Sequence, residues 1–223
     1  MVRQKVKYTS MSGGYKTAAR SKARSRSRFN TYTPSVRVVN KESGFVDTAV
    51  TSYNMNTTGS IALLNTVPQN ASTNGRVGKK IMLKSLQVRG NVYNNTTATF
   101  NDCSVIIVYD KRPQTTLPAI TDILNSATSR SFNNDQNSGR FRILKRLDFV
   151  LIGNATSLTE ATTKDADFFL SLRNLETVYK AAGTGAIGDQ EQGSLLVVTV
   201  GNNVAGNTAA VAQLGFRLRY VDI

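Results

Sequence analysis

The 223 residues carry 28 Lys and Arg against 14 Asp and Glu, a net charge of +14. The absence of His and the single cysteine, Cys103, exclude a Ser-His-Asp triad, a Cys-His pair, a Cys/His zinc cluster and an intramolecular disulfide. No stretch approaches the 18 consecutive apolar residues of a membrane helix, and no apolar segment follows the basic N-terminus as in a secretory signal.

The charge is concentrated at one end. Residues 1–40 hold ten basic side chains (Arg3, Lys5, Lys7, Lys16, Arg20, Lys22, Arg24, Arg26, Arg28 and Arg37) and no acid, which leaves residues 41–223 with a net charge of +4. The run Ser21-Lys-Ala-Arg-Ser-Arg-Ser-Arg28 offers no apolar periodicity to bury, so residues 1–40 are predicted to be a disordered arm and residues 41–223 one folded domain. An uncompensated cationic arm on a mildly basic body reads as a polyphosphate-binding element that contacts backbone, not bases. Phe29 and Tyr32, next to the body, are candidates for stacking on bases, or alternatively for docking the arm onto the body. A nuclear import signal and a merely solvated leader are the other readings of such a run.

Strand-like segments follow in order, separated by turn clusters. The first spans about 43–53. Ile61-Ala-Leu-Leu64 comes next, and then a segment over 79–93. There the apolar parity switches from Ile81 and Leu83 to Leu86, Val88 and Val92, which predicts a β-bulge near Lys84–Ser85. The strand over 103–109 carries the continuous apolar run Val105-Ile-Ile-Val108 and is predicted to be buried on both faces. A long connection over 110–139 carries one helix-like patch, Ala119–Leu124. In the strand over 140–152, Phe141, Ile143, Leu147, Phe149 and Leu151 share one parity, with Lys145 as an unexplained exception. Two short strands are predicted at 168–172 and 175–179, a doubly apolar one at 195–200, and a last alternating one at 212–223. Eight strands, almost no helix and polar loops of unequal length predict an all-β fold, an antiparallel sandwich or jelly roll.

Gly183-Thr-Gly-Ala-Ile-Gly188 has the letters of a dinucleotide fingerprint, but Asp189-Gln-Glu-Gln-Gly193 and a strand follow it where a helix is required, so it reads as a loop. Cys103 opens an apolar strand and reads as a small buried hydrophobe. Asp47, Asp102, Asp110, Asp167 and Asp222 leave open a structural calcium site with oxygen ligands at a subunit contact, although they lack calcium-loop spacing. No cofactor and no enzymatic activity are expected.

Four stretches resemble the capsid proteins of small circular single-stranded DNA viruses of the geminivirus-like kind. They are Gly75-Arg-Val-Gly-Lys-Lys-Ile-Met-Leu-Lys-Ser-Leu-Gln-Val-Arg-Gly90, Val105-Ile-Ile-Val-Tyr-Asp-Lys-Arg-Pro113, Pro118-Ala-Ile-Thr-Asp-Ile-Leu124 and Arg140-Phe-Arg-Ile-Leu-Lys-Arg-Leu-Asp148. The layout is also similar to satellite necrosis virus coat proteins, which package RNA. The chain departs from the plant geminivirus pattern in having no Cys/His cluster in the arm. The resemblance implies a single eight-stranded viral jelly roll that self-assembles into an icosahedral shell, most simply of sixty copies. It further implies a single-stranded genome, DNA favoured over RNA, held by the arm, with assembly in the host nucleus and residence in the virion. Lys79, Lys80, Lys84, Arg89, Arg142, Arg146, Arg217 and Arg219 are candidates for further genome contacts on the body. A free single-stranded nucleic-acid-binding β-domain, monomeric or a small oligomer, stays open as the alternative.

Overall fold

Among the described residues, ten strands and one α-helical turn succeed one another: β1 (Ser43–Met55), β2 (Ser60–Leu63), β3 (Lys80–Tyr93), β4 (Phe100–Asp110), α1 (Ile120–Ile123), β5 (Phe141–Ile152), β6 (Thr163–Asp165), β7 (Phe168–Tyr179), β8 (Gln190–Gln192), β9 (Ser194–Gly201) and β10 (Ala210–Asp222). This computed structural model describes residues 43–95, 97, 99–153, 162–180, 183–204, 206 and 208–223. The expectations placed on residues 1–40 lie outside the described residues.

All pairings between strands are antiparallel. One sheet runs β1-β10-β3-β7-β8, with β6 added beside β3, and the other runs β2-β9-β4-β5. Setting aside the three-residue strands β6 and β8, eight strands form two four-stranded sheets in which the first strand pairs with the last. That is the jelly-roll order, and it confirms the expected all-β fold.

The two sheets face each other across one core. Ile81, Leu83, Leu86 and Val88 of β3 and Leu214, Phe216, Leu218 and Tyr220 of β10 meet Val105 and Ile107 of β4, Leu195 and Val197 of β9, and Leu151 of β5. Phe216 lies edge-on to Tyr53, with centroids 6.2 Å apart. A second cluster sits on the opposite face of β4 and β9, where Ile106, Val108, Leu196, Val198 and Val200 are covered by Ile120, Ile123 and Leu124 around α1. The β4–β5 connection thus folds back over its own sheet, which is why both strands are apolar at consecutive positions. Asp110, fully buried, clamps the ends of that connection through a two-pronged ion pair to Arg140 (Oδ1–Nε 3.0 Å, Oδ2–Nη2 2.8 Å).

Three local irregularities shape the sheets. The predicted bulge in β3 is present: Ser85 opposes Arg219 and Leu83 opposes Tyr220, so Lys84 is skipped. A second bulge explains Lys145. Ile107 opposes Lys145 and Val108 opposes Ile143, so Leu144 is skipped. Leu147, Phe149 and Leu151 therefore pack in the main core while Phe141 and Ile143 pack in the second cluster. The two short strands expected at 168–172 and 175–179 are one strand, β7, interrupted by Arg173 (φ 49°) and Asn174 (φ 61°) in the left-handed region.

A buried polar hub ties the sheets together. Asn65 Nδ2 donates to Thr177 Oγ1 (2.9 Å) on β7 and to the Gly193 carbonyl (3.0 Å), and Asn65 Oδ1 accepts from the Leu195 amide (2.9 Å) on β9. Tyr179 Oη (2.7 Å) and Gln190 Nε2 (3.2 Å) donate to its carbonyl. Gly193 has φ 78°, and a β-carbon there would stand 1.9 Å from the Glu176 carbonyl oxygen, so only glycine lets β8 turn into β9.

Candidate nucleic-acid interface

Side chains alternate across a strand, so the face of the β1-β10-β3-β7 sheet turned away from the core is set by register. One row across it reads Phe45, Arg219, Ser85 and Ser171; the next reads Asp47, Arg217, Gln87 and Phe169. Arg89 follows on β3, opposite Gly215. Arg89, Arg217 and Arg219 are exposed, as are Phe45 (44%) and Phe169 (65%).

Arg217 is held in place. Its Nε and Nη2 donate to Asp47 Oδ1 (2.7 Å) and Oδ2 (2.6 Å), and its guanidinium carbon lies 5.3 Å from the centre of the Phe45 ring. The hydrogen bonds from Arg217 hold the Asp47 carboxyl below the ordinary aspartate value and raise that of Arg217. Arg89 and Arg219 have no hydrogen-bond or ion-pair partner among the described residues. The acids Asp165 and Asp167 mark the limit of the basic area, where β6 lies beside β3 and Asp167 accepts a hydrogen bond from the Gly90 amide (2.8 Å).

The other predicted body cations are scattered. Lys80 pairs with Glu176 at 2.9 Å, both half exposed. Lys84 Nζ donates to Asn174 Oδ1 (2.7 Å), bridging the bulges of β3 and β7. Arg142 is exposed on β5, and Lys79 precedes β3. Arg146 has a structural task. It donates to Asp148 Oδ1 (2.9 Å), to the Ser131 carbonyl (2.7 Å) and to the Ser129 carbonyl, fastening the loop before β5. The arm residues Arg3, Lys5, Lys7, Lys16, Arg20, Lys22, Arg24, Arg26, Arg28, Phe29, Tyr32 and Arg37 lie outside the described residues.

No catalytic arrangement accompanies this surface among the described residues. Burial, with Asp102 and Asp148 nearby, pushes the Cys103 thiol up to about 12, so it is not a thiolate near neutral pH. Asp47, Asp102 and Asp110 are each paired with a different arginine, and Asp222 accepts from the Val77 and Gly78 amides. No three His, Cys, Asp or Glu side chains among the described residues converge on a metal-sized site.

Sequence reasoning missed Phe45 and Phe169. Each sits in an apolar stretch beside a core-facing neighbour, Val46 and Phe168, and only the register shows which of the two points outward.

Comparison with known proteins follows this geometry. Residues 3–222 match the model of the Geminivirus coat protein/nuclear export factor BR1 family. The coat protein of Maize white line mosaic Satellite virus is 30% identical over 176 residues, covering 75% of each chain. Structures of Desmodium yellow mottle tymovirus (TM-score 0.32, 12% identity, 81% of this chain and 88% of that one) and of Maize Chlorotic Mottle Virus (TM-score 0.31, 10% identity, 82% and 94%) are distantly similar. At these scores the fold assignment rests on strand order, not on likeness. A match over nearly the whole length, with a coat-protein relative 30% identical over three quarters of each chain, places the chain in the Geminivirus coat protein/nuclear export factor BR1 family, as a viral coat protein with a structural role.

Proposed function

We propose that this coat protein assembles into a small icosahedral shell, most simply of sixty copies, and packages single-stranded nucleic acid, DNA in preference to RNA, through residues 1–40. The observation that carries this reading is the arm's ten cations without one acid, on a chain of the coat-protein family. With about one phosphate neutralised per cation, sixty arms answer on the order of 600 phosphates. Basic residues of the body and small cations supply the remainder. The same Arg/Lys run suits recognition by host nuclear import factors, consistent with assembly in the nucleus.

Subunit contacts find support on the opposite sheet. Phe100 (47% exposed) and Ile152 (59%) are cross-strand partners, Val150 (41%) lies beside them, and Phe132 (82%) stands on the β4–β5 connection. Contiguous apolar surface of this kind is what an assembly contact covers.

Light scattering and the 260/280 nm absorbance ratio test the proposal. The full chain is expected as a megadalton particle with excess 260 nm absorbance, and nuclease typing identifies the contents. Deleting residues 1–28 is expected to leave a folded body that carries little nucleic acid. Undiminished packaging by that truncation refutes the role of the arm, and a species of single-chain mass refutes the shell.

A further inference from the structure

We propose that the outward face of the β1-β10-β3-β7 sheet is a base-binding platform for single-stranded nucleic acid, with a nucleobase-sized pocket beside Gly215. This deepens the packaging reading above and rests on it.

The pocket has an identifiable origin. The β1–β10 register shifts between Thr48 and Thr51, so Ala49 and Val50 bulge from the edge strand. Opposite the bulge stands Gly215, which contributes no side chain; a β-carbon there would lie 3.1 Å from Val50 Cγ2. A bulge on one strand and a missing side chain on the next leave an open hollow of about 370 Å³, bordered by Val50, Gln87, Arg89, Gly215 and Arg217. Its chemistry is mixed in the way a base requires. Val50, 67% exposed, gives an apolar wall, Gln87 gives amide donors and an acceptor, and Arg89 stands at the rim for a phosphate, while Asp47, which also lines the hollow, neutralises Arg217.

The surroundings extend the hollow into a track. Phe45 and Phe169 lie on adjacent rows three strands apart, which puts them about 16 Å from each other at ordinary strand spacing. Arg219 and Arg217 fill the β10 positions between them. Exposed aromatic rings set among arginines form a stacking surface tolerant of base identity. Three arginines face one aspartate here, and Asp47 is already paired with Arg217. The opposite sheet lacks arginines set among exposed rings in this way: Arg130 and Arg146 are paired with Asp102 and Asp148, Arg142 and Lys145 stand exposed on its edge strand β5, and Phe100, Val150 and Ile152 form an apolar exposed patch. The combination of arginines with exposed rings therefore selects this sheet, and it suits a polyanion with exposed bases.

Photocrosslinking of the full-length chain tests this. A short oligodeoxynucleotide with 5-iodouracil in place of thymine is bound and irradiated, and the crosslinked peptides are identified by mass spectrometry. Crosslinks on Phe45, on Phe169 or on peptides bordering Gly215 are expected alongside those in the arm. Val50→Glu places a carboxylate at the hollow, on a side chain already exposed, and is expected to abolish the crosslinks around Gly215 while sparing the arm's. Arg89→Gln is expected to shallow the salt dependence of oligonucleotide affinity by about 0.7 in log–log slope, one single-strand phosphate. Crosslinks confined to residues 1–42 overturn the platform and leave packaging by the arm standing. Failure of the chain to retain the oligonucleotide at all overturns both.

Discussion

Asn65→Ala probes the junction between the two sheets. The substitution removes four side-chain hydrogen bonds inside a fully buried site, the longest of them accepted from Gln190 Nε2 at 3.4 Å. Their consequences differ. Thr177 Oγ1 still donates to the Gly193 carbonyl at 2.6 Å, so neither of those groups loses all its partners. The Leu195 amide has no such alternative and is left buried without an acceptor. A stranded donor costs about 1–3 kcal/mol, and the remaining bonds contribute about 1 kcal/mol net, giving about 2–4 kcal/mol in all. Urea unfolding of the unassembled chain, at one fixed low protein concentration so that subunit contacts do not add stability, should then show the midpoint falling by about 1–2 M. An unchanged slope is expected, since the unfolded chain is the same. A midpoint within about 0.3 M of the wild type would refute the assignment of the hub as the tie between the sheets.

Other perturbations have equally definite outcomes. Arg76 is fully buried; it donates from Nη1 to the Gly78 carbonyl (2.7 Å) and lies 4.2 Å from the Tyr179 ring centre, yet its Nε and Nη2 have no partner among the described residues. Arg76→Met is therefore expected to be neutral or stabilising by up to about 2 kcal/mol in the same unfolding assay. Burial opposes ionisation of Asp148, but hydrogen bonds from Ser104 and Arg146 outweigh it and hold the carboxyl below the ordinary aspartate value. A depressed acid contributes stability that is complete above its unfolded value of about 3.9 and is lost as pH falls through the folded value. Asp148→Asn should accordingly flatten the fall in stability below about pH 4, as followed by unfolding at stepped pH. Cys103 should resist a thiol reagent at neutral pH in the folded chain and react stoichiometrically in urea, because its thiol is buried and raised to about 12.

Much of the fold was legible because jelly-roll strands alternate or saturate in apolar residues according to what covers them. The parity switch between Leu83 and Leu86 announced the β3 bulge. The same logic failed in β5, where the bulge at Leu144 turns Phe141 and Ile143 onto the opposite face without changing their odd numbering, so Lys145 looked anomalous. The polar break at Arg173–Asn174 looked like the end of a strand, although left-handed backbone there carries β7 through. The outward cations of β10 were legible from alternation with Leu218 and Tyr220. The hollow beside Gly215 was not, since it depends on a bulge in a strand more than 160 positions away in the chain. Asn65 was equally silent, as its partners lie 112–130 residues further along.

The pairing of β1 with β10 sets an order of events in the life of each subunit. Ser43 meets Val221, and β10 is also the neighbour of β3, so the first sheet has no centre until the last thirteen-residue strand exists. At about 5–20 residues per second, a ribosome needs on the order of 10–35 s to pass from the start of β1 to the end of β10, and until then β1 and β3 carry unpaired edges. Sheet closure therefore waits on contacts that are distant in sequence, which are the slowest to form. A product terminated before β10 cannot close the first sheet or supply Leu214, Phe216, Leu218 and Tyr220 to the core. The topology thus works as proofreading for length: only chains translated through to the final strand become competent for incorporation into a particle.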